Sequence, residues 1–293
     1  MTEYNNGYVI LASTDQQQRA AALCAYSIKI KNNASSVTMI TPDLRSVNQD
    51  YEEPFDMIVE LPFAAEDNLR ANDWQLYWAT PYENTIALDC FTIIKEDQTN
   101  IWEYLISQHN VAIPQRGVTF RNEIIGRYAD DSGVYVIHDF KHLYSNFIFF
   151  NKSESSLAYF KLMDPYLRNW RDAVSKSVES RFVPDRYDTD LMHSICAWHL
   201  GIHEDIVPRR DIFKNIDMRE ITARYRKTMK IEHGWSEHLN TWISNSAKLK
   251  IQNFAIDGIL YYEDPGFNTA VIFDGHRNYF RELGFKANLV DKV

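Results

Sequence analysis

The chain has 293 residues, 45% hydrophobic and 24% charged, a balance that excludes a disordered or low-complexity polymer and allows a sizeable core. Its formal net charge of −9 argues against strong non-specific binding to nucleic acid, and three scattered cysteines (Cys24, Cys90, Cys196) make neither a disulfide framework nor a zinc spacing. No apolar run approaches the length of a membrane span and a polar start leads straight into a strand, so the chain reads as cytoplasmic and without a membrane partner.

Taken in order, YVILA (8–12) is a short apolar run, the mark of a buried strand. Residues 15–30 follow with apolar positions at helical spacing and Asp15 as an N-cap, and SSVTMIT (35–41) gives the next strand. Strand, helix and strand in that span form a βαβ unit, which predicts a mostly parallel sheet with flanking helices. FDMIVEL (55–61) is a further strand, and NDWQLYWAT (72–80) is helix-like, with Trp74 and Trp78 on one face. NTIALDCFTII (84–94) reads as a central strand, and YSNFIFF (144–150) as another buried one. Residues 154–177 are helical, and 188–202 form an amphipathic helix capped by Asp188 or Thr189 and ended at Gly201. The segments 249–264 and 269–273 read as strands that close the domain. No linker or repeat interrupts the pattern, so residues 1–293 are expected to form one domain with a helical and strand-bearing C-terminal extension.

In an open α/β sheet, ligands bind beyond the carboxyl ends of parallel strands. Those ends are Ala12-Ser13-Thr14, the Asp89-Cys90-Phe91 junction and Tyr144-Ser145-Asn146. Ser13 and Thr14 sit where a helix N-terminus would face an anion. Neither GxGxxG nor a P-loop is present. Asp89 stands out, because a carboxylate inside an apolar strand is costly unless it is paired or bound to a cation. His199 and His203 have a zinc-like spacing without the Glu of HExxH, His193 lies on the same helix, and Cys90 has no cationic neighbour in the chain to activate it. The 17 Tyr and 7 Trp fit either a ring-rich core or a groove for sugars and bases.

Several of these segments resemble a known family. GYVILASTDQQQRAAALCAYSIKI resembles the donor-binding start of nucleotide-sugar glycosyltransferases with the GT-A (Rossmann-like) fold, in glycogenin style. DNLRANDWQLYWATPYENTIALDC resembles the approach to that family's DxD motif, and YSNFIFFNKSESSLAYF its acceptor-side strand. DTDLMHSICAWHLGI and LKIQNFAIDGILYYEDPGF resemble the C-terminal half of versions encoded by bacteriophages. The resemblance spans most of residues 7–268. It implies a UDP-sugar donor, carrying glucose or a pentose such as arabinose, held in residues 1–150 by Ala12, Ser13, Thr14, Arg70, Asp89, Tyr144, Ser145 and Asn146. It also implies a catalytic acidic pair, Asp188 and Asp190, on the acceptor side (151–293).

A divalent cation (Mn²⁺ or Mg²⁺) would be expected on Asp89. The chain departs from the family there: the DxD triplet is Asp89-Cys90-Phe91, and the late histidine ligand falls where Tyr261 and Tyr262 stand. Three readings are open. Cationic side chains (Arg70, Arg219, Arg277, Lys286) replace the metal; Asp274 or His276 serves as ligand instead; or the chain is a silent subunit that partners an active relative. The phage likeness suggests hydroxymethylated pyrimidine in DNA as acceptor, contacted by the basic cluster Arg219, Arg224, Arg226, Lys227 and Lys230; a protein or glycan acceptor is the alternative.

Overall fold

The computed structural model describes residues 5–115, 117–124, 132–209, 212, 214–218, 239–285 and 291–292. The basic cluster 219–230 and Lys286 lie outside them.

Strand β1 (Asn6–Leu11) is buried from Gly7 onward on both faces, which is why its sequence is continuously apolar. Thr14 then starts α1 (Asp15–Lys31) with a reciprocal capping box: its hydroxyl accepts from the Gln17 N–H, and the Gln17 side chain accepts from the Thr14 N–H. The chain continues through β2 (Ser36–Thr41) and β3 (Met57–Glu60). A 3₁₀ turn, Leu69–Gln75, runs into the short α2 (Leu76–Ala79), followed by β4 (Asn84–Asp89), β5 (Thr92–Ile94) and α3 (Thr99–Gln108). Next come β6 (Val111–Ala112), α4 (Ser132–Ile137), β7 (Phe147–Asn151), α5 (Glu154–Arg168), α6 (Trp170–Ser177) and α7 (Thr189–His199). The last third holds β8 (Asn215–Asp217), β9 (Thr241–Ile243), β10 (Leu249–Ile251), β11 (Phe254–Ala255), β12 (Ile259–Tyr261), α8 (Ala270–Glu282) and β13 (Asp291–Lys292).

The central sheet has the order β13-β3-β2-β1-β4-β7-β6. Its first five strands run parallel, while β7 pairs antiparallel with both β4 and β6. This is the expected α/β architecture with a mostly parallel sheet. Two small sheets, β11-β10-β9 and β5-β12-β8, belong to the C-terminal part. Two apolar cores lie on the two sides of the central sheet. One includes α1, Phe273 and Phe280; the other includes α5, α7 and the tryptophan cluster of residues 74–78.

Gly7 leaves room for an aromatic ring. A Cβ there would stand 2.3 Å from the ring of Tyr82, whose hydroxyl is hydrogen-bonded to Thr38 Oγ1 at 2.7 Å.

Several boundaries differ from the sequence expectation, each for a local reason. Residues 269–273 are not a strand: Thr269 caps α8 by accepting from the Ile272 N–H, and Ile272, Phe273, His276 and Phe280 recur at helical spacing on its buried face. A five-residue apolar run does not separate the two possibilities. The run 84–94 breaks into β4 and β5 because the Asp89 carboxylate accepts the Phe91 N–H and turns the chain. The run 249–264 is three short strands, divided at Gln252 (φ 53°) and Gly258 (φ 126°). Residues 72–80 are 3₁₀ as far as Gln75 and α-helical over Leu76–Ala79, the first part tightened by the Asn72 side chain, which donates to the carbonyls of Glu66, Asn68 and Leu69. Helix 154–177 divides at Asn169.

Candidate functional site

The strand order reverses between β1 and β4, each of which leads off to its own side of the sheet. Their carboxyl ends are in register, Leu11 opposite Asp89. Such a switch point leaves a crevice beyond the strand ends, and a small cleft lies there, lined by Leu11, Arg70, Asp73, Asp89, Cys90 and Ser145 among others.

Asp89 is 8% exposed, and its charge is compensated from within the protein. Oδ1 accepts the Phe91 N–H at 2.9 Å, and Oδ2 accepts from Arg70 Nη1 at 3.1 Å. The other terminal nitrogen of Arg70 donates to the Ser145 carbonyl (2.8 Å) and hydroxyl (3.0 Å). That same nitrogen lies 2.9 Å from Asp73 Oδ2, an ion-pair contact without hydrogen-bond alignment. Burial opposes the guanidinium charge, but Asp73 and Asp89, then Tyr261 and Asp190, more than offset it, so Arg70 is held firmly charged. Ser145 links the group to helix α7: its N–H (2.8 Å) and its hydroxyl (2.6 Å) both donate to Asp190 Oδ1. Among the described residues, one cation thus faces three carboxylates (Asp73, Asp89, Asp190), a formal sum of −2.

Of the site residues expected from sequence, Arg70, Asp89, Ser145 and Asp190 form this one connected group. Asn146 closes β4 against the β7 entry, its carbonyl accepting the Asp89 N–H at 3.0 Å, and its side chain exchanges hydrogen bonds with Asn215. Tyr144 is buried, with its ring stacked on His142 at 4.7 Å. Ala12 is buried in the sheet edge. The N–H groups of Ser13 and Thr14 both donate to Gln17 Oε1 at 3.1 Å, so the α1 N-terminus satisfies itself and an anion there would have to displace a side chain. Asp188 is the N-cap of α7, accepting the Leu191 N–H at 3.0 Å. The acidic pair therefore divides: Asp188 serves the helix, and Asp190 points to Ser145.

The fit of a divalent cation is decided by what surrounds Asp89. Both of its oxygens already accept, and the second DxD position, Phe91, packs edge-on against Tyr262 with ring centroids 5.6 Å apart. Tyr262 is fully buried, and Tyr261 is an electrostatic neighbour of Arg70. Phe91 and Tyr262, where the resemblance implied metal ligands, thus pack on each other, while Tyr261 and Asp89 both interact with Arg70. Among the described residues no group of three or more His, Cys, Asp or Glu could hold a metal ion. The residues present do not fit the cation. Asp274 and His276 have partners elsewhere, Arg277 and Lys95. Cys90 is buried, and burial first, then Asp89, push its thiol well above the ordinary range, as suits a packing residue. His193 is buried while His199 is exposed and bonded to Tyr166, so the histidines of α7 do not share a site.

Asp73 was not legible as a site residue. Its only signal was its place three residues after Arg70, which puts both side chains on one side of a helical turn.

Among the described residues, no helix is long and apolar enough to cross a membrane. No family model matches the chain, and no curated protein matches it in sequence. Solved structures with a similar chain path do exist. The galactosyltransferase LgtC, in complex with donor and acceptor sugar analogues, is 9% identical over 94% of both chains, with a TM-score of 0.47. The glycosyltransferase GlyE of Streptococcus pneumoniae is 10% identical over 95% of this chain and 60% of its own, with a TM-score of 0.48. Mouse xyloside xylosyltransferase 1 is 11% identical over 89% of this chain and 97% of its own, with a TM-score of 0.47.

Proposed function

We propose that the chain transfers a sugar from a UDP-sugar to an acceptor hydroxyl, and that it does so with Arg70 in the role a divalent cation plays in the family its sequence resembles. The observation that carries this reading is the position of Arg70: the guanidinium sits at the β1/β4 switch point, on Asp89, where a leaving diphosphate would need positive charge. Residues 1–150 would hold the donor, with Ala12, Ser13 and Thr14 toward the nucleoside and Tyr144, Ser145 and Asn146 toward the sugar. Residues 151–293 would form the acceptor side.

In the reaction, Asp190 takes the proton of the acceptor hydroxyl, whose oxygen bonds to the anomeric carbon. The bond from that carbon to the diphosphate breaks, and UDP leaves with its charge against Arg70. Asp190 is held for this by two hydrogen bonds from Ser145. Since one cation faces three carboxylates, the diphosphate must draw Arg70 away from Asp73 and Asp89 as it binds.

The test is UDP release from UDP-glucose and UDP-pentoses in the presence of EDTA, with the acceptor mass read in parallel. Hydroxymethylated DNA, a glycan and a protein serve as acceptors. A gain of one sugar on any of them supports the reading, and a gain on DNA alone identifies the base hydroxyl. A specific observation favours a second reading, a silent glycosyltransferase-like subunit: four of the contacts Arg70 makes are to the protein itself. That reading predicts no thermal stabilisation by any UDP-sugar, with or without Mn²⁺.

A further inference from the structure

Behind Arg70 lies a set of buried polar atoms that the proposed reaction does not use. Asp73 is 1% exposed and His193 is fully buried. His193 Nε2 faces Asp73 Oδ2 at 3.7 Å, and neither atom has a hydrogen-bond partner among the described residues. The other ring nitrogen, Nδ1, is 2.6 Å from the Tyr159 hydroxyl. Burial raises the Tyr159 phenol well above its ordinary value, so it stays neutral and is able either to donate to Nδ1 or to accept from it. The carboxylate that faces Nε2 favours the neutral ring with its proton on that nitrogen, and Tyr159 then donates to Nδ1. On gaining a second proton the ring keeps the same partner, because Nδ1–H then donates to the phenol oxygen.

We propose that His193 is a positioning residue for Arg70, acting through the carboxylate the two share, Asp73. Resting on the donor reading above, this makes donor affinity depend on the His193 proton. Protonated His193 gives Asp73 a second cation, which loosens its hold on Arg70 and changes the formal sum of the cluster from −2 to −1. Neutral His193 leaves Asp73 to Arg70 alone, and a diphosphate must then compete with the full ion pair. The groups that face the ring are Tyr159 on α5 and Asp73 on the 3₁₀ turn; behind Asp73 stand Arg70 on the same turn and Tyr187 ahead of α7, which interacts electrostatically with both Asp73 and Arg70. On α7 itself Asp190 and Cys196 lie one turn to either side. By linkage, whatever draws Arg70 away from Asp73 must raise the proton affinity of His193, and the reverse.

The experiment is NMR of the full chain with ring-¹³C histidine, the His193 signal being identified among nine by its loss in His193→Gln. Arg70→Met is expected to raise the His193 titration midpoint by about 1, since an opposite charge no longer shared shifts a pKa by that order. Arg70→Lys, which keeps the charge, leaves it near the wild-type value. Asp73→Asn lowers the midpoint and abolishes the effect of Arg70→Met. UDP-glucose, whose diphosphate does not titrate in this range, raises the midpoint in the wild type, and calorimetry finds it about tenfold tighter below the midpoint than above, the counterpart of a shift of about 1. The proposal is overturned if neither Arg70→Met nor Asp73→Asn moves the midpoint, or if the ring stays neutral down to acid unfolding in both wild type and Arg70→Met. If Arg70→Met moves it and UDP-glucose binds at no pH, the His193–Arg70 coupling stands and the donor reading fails.

Discussion

Replacing Arg70 by Met tests the electrostatic architecture of the cleft directly. Methionine preserves much of the side-chain length and removes a cation in contact with both Asp73 (1% exposed) and Asp89 (8% exposed). It also strips the Ser145 carbonyl and hydroxyl of a donor. Removing one member of a buried ion pair costs about 3–5 kcal/mol, because the remaining charge stays desolvated and unmatched. Arg70 is itself 24% exposed, so water can reach part of the gap and the lower end, about 3 kcal/mol, is expected at neutral pH. Asp89→Asn in the same background should recover part of the loss, with a coupling of about 1–3 kcal/mol in the double-mutant cycle. Urea unfolding of the wild type, both single variants and the double variant measures this. If Arg70→Met unfolds within about 0.5 kcal/mol of the wild type, as surface changes do, the network is not holding buried charge and the reasoning is wrong.

Three other predictions concern different parts of the molecule. Gly7→Ala places a methyl group 2.3 Å from the Tyr82 ring and should cost about 1–3 kcal/mol, seen as a lower Tm; an unchanged Tm would mean that Tyr82 moves freely aside. Lys95 is buried, donates to the Ala247 carbonyl and His276, and is pushed down by burial, then by Lys31, to about 7. Between that value and its unfolded pKa near 10.4, the unfolded chain binds the proton and the folded chain does not, so stability should fall as pH drops through this window by up to about 1.4 kcal/mol per pH unit. Lys95→Met should remove that slope, and the same slope in both proteins would contradict the assignment. Asp190→Asn should lower the rate of sugar transfer by about 10²–10⁴-fold while UDP-glucose affinity changes little; equal loss of both would make Asp190 a donor-binding residue.

The sheet was legible where strands are buried on both faces. β1, β2 and β4 announce themselves as apolar runs, and the αβ alternation around α1 forces them parallel. Asp89 was legible for the same reason, since a carboxylate in such a run has to be compensated. What compensates it was only half legible. Arg70 lies 19 positions upstream on a 3₁₀ turn, and nothing local ties it to Asp89 rather than to a ligand. Asp73 and His193 were illegible as a pair because their contact joins the turn to α7 across 120 residues of chain, whereas the pattern along α7 only marks His193 as facing inward. The start of α8 reads as a strand because the run 269–273, its cap and first four residues, carries both periodicities; the cap that decides the matter is a single hydrogen bond from the Ile272 N–H to Thr269.

Calorimetry of UDP-glucose binding in excess EDTA, with wild type and Arg70→Met side by side, addresses the central proposal most directly. A cleft whose positive charge is an arginine binds the donor without metal and loses that binding with Arg70. Binding that appears only when Mn²⁺ or Mg²⁺ is restored, or that survives unchanged in Arg70→Met, would contradict it.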